Sequence, residues 1–252
     1  MQIMYFCINF YVKMATIISI ETSTEVCSVA LSQDGENLWE KKHMEGQAHS
    51  TLLAPYLQEM QTYINDNHIK VDAVAVSSGP GSYTGLRIGV STAKGLCYGS
   101  DLPLLSIGTL EVLTIAALHS LKGRDIPANA YFCPMIDARR MEVYTAFYDK
   151  DLHQVRETSA DIIDENSYQE ILNNHTVFFF GNGSSKCKKA IQHPNAKFLD
   201  DIVPLATEMS QLADEAYKKK DFKDVAYFEP AYLKEFIAVV GKNKVLGLEN
   251  QK

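Results

Sequence analysis

Basic residues are in short supply: 24 Lys+Arg stand against 31 Asp+Glu in 252 residues, a net charge of −7 with the histidines neutral. Unaided nucleic-acid binding draws most of its affinity from cations that neutralise phosphates, and the longest basic run is only Lys218-Lys219-Lys220. If RNA is handled, a partner is expected to grip it. Cys-x-x-Cys pairs and histidine pairs at zinc-finger spacing are absent. The five cysteines, Cys7, Cys27, Cys97, Cys133 and Cys187, are odd in number and widely spaced, as free thiols in a reducing cytoplasm would be. Residues 1–12 are apolar and aromatic but far short of the ~20 residues that cross a bilayer, and they lack a basic n-region or a small-residue cleavage site. Gly and Pro are near average, which excludes collagen-like and disordered classes. What is present is 46% hydrophobic and 22% charged, an ordinary globular composition with room for two lobes of about a hundred residues each.

Residues 16–24, Thr-Ile-Ile-Ser-Ile-Glu-Thr-Ser-Thr, carry β-branched side chains on both faces, the pattern of a strand buried on two sides. Residues 26–32, the turn pair Asp34-Gly35 and residues 36–42 complete an expected antiparallel meander. Leu53, Tyr56, Leu57, Met60 and Ile64 recur at helical spacing over about four turns, with Ser50 or Thr51 as cap and Pro55 awkward beyond the first turn. A strand over 71–77 leads through Gly79-Pro80-Gly81-Ser82-Tyr83-Thr84-Gly85 into a helix over 86–98, followed by a strand over 104–107 and a helix over 111–119. The polar break at 122–127 is the expected lobe boundary. Beyond it come a hairpin over 131–137 and 142–149, and a strand over 177–180 leading through Gly181-Asn182-Gly183 into a short helix. An amphipathic helix over 204–220 is expected next, with Leu205, Met209, Leu212 and Ala216 on one side and Pro204 in its first turn. In both halves a strand ending in an acid, Glu21 or Asp137, is followed nine positions later by an alanine of the next strand, Ala30 or Ala146, which hints at duplication.

The helix over 86–98 poses a question. Leu86, Val90, Ala93 and Cys97 form its core face, and Arg87, Ser91, Lys94 and Tyr98 a solvated one. The third sector holds Gly85, Gly89, Thr92 and Leu96, flanked by Ile88, Gly95 and Gly99, although each interior glycine costs about 0.5–1 kcal/mol relative to alanine. Small residues at this spacing let another backbone approach. Two readings stand: a contact inside the lobe, for which the helix carrying Leu53, Leu57 and Met60 is the natural neighbour, or a contact with a foreign helix.

Chemical motifs are missing. The glycines at 79, 81 and 85 match neither the Walker pattern nor the dinucleotide fingerprint. His43 and His49 are six apart, a spacing that does not put both on one helical face. Ser77, Ser78 and Ser82 have no nearby histidine to act as base.

The runs Ile20-Glu21-Thr22-Ser23-Thr24 to Cys27-Ser28-Val29-Ala30-Leu31, His49-Ser50 to Leu53-Ala54-Pro55, Ser78-Gly79-Pro80-Gly81-Ser82-Tyr83-Thr84-Gly85-Leu86-Arg87-Ile88-Gly89 and Pro134-Met135-Ile136-Asp137-Ala138-Arg139-Arg140 together resemble the bacterial TsaB family of tRNA threonylcarbamoyladenosine biosynthesis proteins, over about residues 14–235. The resemblance implies a duplicated actin-like or sugar-kinase-like α/β fold, two lobes each with a mixed sheet flanked by helices. The expected division is a first lobe over 14–121 completed by about 205–235, a second over 122–204, a flexible tail over 236–252, and residues 1–13 as an extension ahead of a start at Met14.

It also implies a non-catalytic, cytoplasmic partner of the threonylcarbamoyl transferase TsaD, working with the ATPase TsaE and reaching tRNA through the complex, or pairing with itself when the transferase is absent. The transferase carries a metal on two histidines four apart; the matching positions here are Thr109 and Leu113, neither of which can serve as an imidazole ligand. No catalytic residue, metal or cofactor of its own is expected. Leu53, Leu57, Met60, Ile88, Gly89, Thr92 and Leu96 are the expected docking residues, and Gly89→Arg is expected to abolish the complex while sparing the monomer. Arg87 and Lys94 are candidates for touching the phosphate of an adenine nucleotide at the boundary, against the plainer reading of solvated surface. The alternative is a stand-alone peptidase or phosphotransferase of the same superfamily.

Overall fold

The computed structural model describes residues 15–46 and 48–233. The N-terminal extension, Cys7 and the tail over 236–252 lie outside the described residues. Strands β1 (Thr16–Glu21), β2 (Cys27–Gln33) and β3 (Glu36–His43) form the expected meander, and helix α1 (His49–Asp66) leads to β4 (Ala73–Ser77). Helix α2 (Tyr83–Ser100), β5 (Leu104–Ile107) and α3 (Thr109–Ser120) follow. The first sheet has the order β3-β2-β1-β4-β5, with β1, β4 and β5 parallel and β2 and β3 antiparallel to their neighbours.

The same plan then repeats. Strands β6 (Tyr131–Asp137), β7 (Glu142–Tyr148) and β8 (Gln154–Ile162) form a second meander, and α4 (Gln169–Asn174), β9 (Val177–Phe180), α5 (Ser184–Cys187) and β10 (Ala196–Phe198) complete it. The order β10-β9-β6-β7-β8, read from its other edge, matches the first sheet strand for strand. Glu21 and Asp137 close the equivalent strands β1 and β6.

Each central strand serves two cores because successive side chains point to opposite faces. Ile18 and Ile20 of β1 and Val74 and Val76 of β4 pack with Leu53, Met60, Val90 and Ala93 of α1 and α2. Ile17, Ala73 and Ala75 face the other way, onto Leu105, Met209 and Ala213. In the second lobe Phe178 and Phe180 of β9 alternate with Val177 and Phe179 in the same manner. The expected helix over 204–220 begins later, as a 3-10 turn (Ala206–Met209) continued by α6 (Ser210–Lys218), so Pro204 precedes it.

Helix α3 joins the two sheets just ahead of the expected boundary at 122–127. Leu110, Leu113, Ala117 and Leu121 pack into the second lobe with Phe132 and Ile136, whereas Val112 joins Ile107 and Met209 in the first. A helix buried on several sides lies between layers. The lobes therefore meet along α3, and the polar break only follows it.

Candidate partner-docking surface

Helices α1 and α2 share one face of the first sheet, and the turn after β1 is wedged against the start of both. Ser82 caps α2, its Oγ accepting the Gly85 N–H at 3.2 Å, while its own N–H donates to the Ser23 carbonyl at 2.6 Å. Thr22 Oγ1 donates to the Gly85 carbonyl at 2.8 Å, and His49 Nε2 lies 2.8 Å from the Thr24 carbonyl oxygen at the start of α1. Glu21 is fully buried; one carboxyl oxygen accepts the Ser23 N–H at 2.6 Å and the other has no partner among the described residues. Burial pushes its pKa above the ordinary carboxylate range, against the opposing pull of the hydrogen bonds from Ser23 and Ser77.

This wedge explains the glycines. A Cβ on Gly85 would sit 2.1 Å from the Thr22 carbonyl oxygen, and one on Gly89 would sit 2.2 Å from Thr22 Oγ1. Both positions are filled by the chain's own turn, so the reading of a contact inside the lobe holds there, though the approaching backbone is the turn and not α1. Gly89→Arg would therefore damage the monomer, contrary to the expectation above. Leu53 and Met60, at 2% and 0% exposure, are core residues of this chain and present no surface.

What stays open lies one notch round α2. Ile88, Thr92, Gly95 and Gly99, spaced i, i+4, i+7 and i+11, fall within about 60° of one another. Ile88 and Thr92 are half-buried, Gly95 and Gly99 are exposed, and a Cβ on either of these glycines would meet nothing within 4 Å among the described residues. The Thr92 hydroxyl donates to the Ile88 carbonyl at 2.8 Å, so the stripe carries no unsatisfied hydroxyl. Half-buried Leu96 borders it, and Leu57 of α1 is likewise half-buried against the same core.

The other flank of α2 is strapped by the segment 222–233. Lys94 Nζ donates to the carbonyls of Ala226 at 2.9 Å and Phe228 at 3.1 Å. The Arg87 guanidinium lies 4.2 Å from the centre of the Tyr83 ring, its Nε donates to Tyr232 Oη at 3.3 Å, and the two tyrosine rings are 5.1 Å apart. Both candidate phosphate contacts thus hold the strap. Beside Lys94 a groove of about 570 Å³, lined by Gly95, Tyr98, Asp224, Val225 and Ala226, runs into the open stripe.

Thr109 and Leu113 are fully buried in α3, and among the described residues no group of three or more His, Cys, Asp or Glu could hold a metal ion. Threonine and leucine offer no imidazole, so the two-histidine metal site that the sequence resemblance implies for the transferase has no matching donors at these two positions. Cys27, Cys97, Cys133 and Cys187 are buried free thiols; burial pushes the first two and Cys187 up to about 11 and Cys133 higher still, far from reactive thiolates. No helix among the described residues is long and apolar enough to cross a membrane.

A family model described as TsaD, tRNA N6-adenosine threonylcarbamoyltransferase, matches residues 43–242. The chain is 31% identical over 231 residues to the tRNA threonylcarbamoyladenosine biosynthesis protein TsaB of Haemophilus influenzae, covering 87% of this chain and 93% of the relative. It is 30% identical over 233 residues to the Escherichia coli K12 protein of the same name, covering 88% and 96%. A Pseudomonas aeruginosa crystal structure, described as an uncharacterized protein with similarity to peptidase YeaZ, superposes with a TM-score of 0.73 at 25% identity, over 88% of this chain and 100% of that one.

Proposed function

The chain belongs to the TsaB family of tRNA threonylcarbamoyladenosine biosynthesis proteins, and from that premise we propose that it is a non-catalytic partner of the TsaD transferase. In this reading Ile88, Thr92, Gly95 and Gly99 of α2, bordered by Leu96 and with Leu57 of α1, seat a helix pair of the transferase. The observation that carries it is the open stripe: a helix spends two exposed glycines, each costing about 1 kcal/mol against alanine, where nothing among the described residues requires them. Close packing of a second helix supplies the reason, since small residues let interaxial distances shorten. The side chains at 109 and 113 support a scaffold role, because threonine and leucine replace the imidazoles that metal chemistry needs.

The same stripe would accept a second copy of the chain when the transferase is absent. An adenine nucleotide at the boundary would have to compete with Tyr83 and Tyr232 for Arg87 and with two carbonyls for Lys94. Light scattering on a mixture of the chain with the transferase tests the proposal: the expected mass is the sum of one copy of each, and two separate masses at micromolar concentration would contradict it. A stand-alone peptidase or phosphotransferase instead predicts turnover by the purified chain with no partner added.

A further inference from the structure

The β6–β7 hairpin tip carries Arg139 and Arg140, consecutive exposed residues with φ of 72° and 50°. Left-handed backbone at two successive positions ordinarily selects Asn or Gly, so two arginines here go against local preference. Strain of this kind collects where a side chain has work to do. The tip is braced: Asp137 Oδ1 accepts the Arg139 N–H at 3.1 Å and the Lys186 ammonium, and Lys186 also donates to the Glu142 carbonyl at 2.7 Å. In contrast with Arg87 and Arg156, which are held by tyrosines and by Asp161, neither tip guanidinium has an acid or acceptor among the described residues. In a chain with seven more acids than bases, this leaves two adjacent exposed cations with no acidic partner among the described residues.

Their position is set by a short chain of hydrogen bonds. The Asp137 N–H donates to Asn182 Oδ1 at 3.0 Å, and Asn182 Nδ2 donates to Glu25 Oε2 at 3.0 Å. Glu25 belongs to the turn wedged against α2, so the tip and the docking helices are tied to the same end of the molecule.

From this juxtaposition we infer that Arg139 and Arg140 contact the phosphate backbone of an RNA held by the assembled complex. The inference rests on the docking reading. With a net charge of −7 the chain as a whole repels a polyanion, so contact is local and sequence-independent, and it registers the RNA without reading bases.

The test uses Arg139→Asn with Arg140→Gly, a pair that suits left-handed backbone and removes both charges while preserving the turn. The mass of wild-type and variant complexes with the transferase is measured first, then tRNA affinity against potassium chloride concentration. Two lost phosphate contacts should flatten the log–log salt slope by about 1.4–1.8 and weaken binding about 25- to 60-fold at 0.1 M salt. Arg139→Lys with Arg140→Lys should keep the slope. An unchanged affinity and slope in the variant complex overturns the inference, as does loss of the variant complex alone, which would assign the arginines to the protein partner. If wild type forms no complex, the docking reading fails and the inference that rests on it fails with it, an outcome distinct from an unchanged slope in a complex that does form.

Discussion

Replacing Gly89 with alanine separates a glycine required by the chain's own fold from one kept for a partner. Helix propensity alone predicts that alanine stabilises α2 by about 1 kcal/mol. Against that, the new Cβ would sit 2.2 Å from Thr22 Oγ1 and 3.5 Å from Thr22 Cβ, so Thr22 must rotate or the turn must shift. Overpacking of this kind costs about 1–3 kcal/mol, and rotation would also break the buried 2.8 Å hydrogen bond from Thr22 to the Gly85 carbonyl, worth about 1 kcal/mol. The net expectation is a loss of about 1–3 kcal/mol, a fall in Tm of about 2–4 °C for each of those kilocalories. Trp39, the single tryptophan, is half-buried against the core that holds Val90 and Ala93 and reports unfolding in urea by fluorescence. Thr22→Ala should rescue Gly89→Ala, with a coupling of about 1–2 kcal/mol in the double-mutant cycle. A Gly89→Ala protein as stable as wild type or more so, with no coupling to Thr22, would refute the wedge and return Gly89 to the partner surface.

Other outcomes follow from the same structure. Because the folded-state pKa of Glu21 lies above its ordinary 4.5, the stability tied to its neutral form is fully present below pH 4.5 and is lost as pH rises through the folded value. Glu21→Gln should therefore be more stable than wild type at neutral pH and lack that downward slope; denaturation midpoints from pH 4 to 9 check it, and an equal slope in both proteins contradicts it. Lys94→Ala removes the two hydrogen bonds to the Ala226 and Phe228 carbonyls and leaves the Arg87–Tyr232 tether, so amide exchange over residues 224–230 should accelerate while that of β4 stays slow. Unchanged exchange there would mean that packing of Val225 and Phe228 on the core holds the strap without the lysine.

Much of the scaffold was legible because two-faced burial leaves a plain signature. The alternating apolar runs of β1, β4, β6 and β9 are each buried on both sides, and the echo of Glu21–Ala30 in Asp137–Ala146 corresponds to two sheets of identical strand order. Strand β8 escaped notice because its residues, Gln-Val-Arg-Glu-Thr-Ser-Ala-Asp-Ile, form a polar edge paired on one side only. Helix α1 runs to eighteen residues with Pro55 at its seventh position, on an exposed face where water can satisfy the carbonyl that proline leaves without a donor.

The proposed stripe lies about a sixth of a turn from the sector centred on Gly89 for a physical reason. A helical wheel shows that a face is small, but not whether a turn from elsewhere in the chain already fills it. Gly85 and Gly89 are fitted to Thr22, whereas Gly95 and Gly99 are free. Periodicity could not separate the two pairs; only the long-range position of the β1–β2 turn does. The packing of α3 on both lobes is hidden likewise, since a helix with apolar residues on several sides does not reveal which layers it joins.

The most direct test of the docking account is the affinity of the Gly95→Arg chain for fluorescently labelled transferase. Position 95 is exposed and open, so arginine should leave the melting temperature equal to or above that of wild type. Forcing an unpaired charge into a close-packed helix contact should weaken binding about 100-fold or more. Wild-type affinity in a folded Gly95→Arg protein would show that this stripe of α2 is not where the transferase sits.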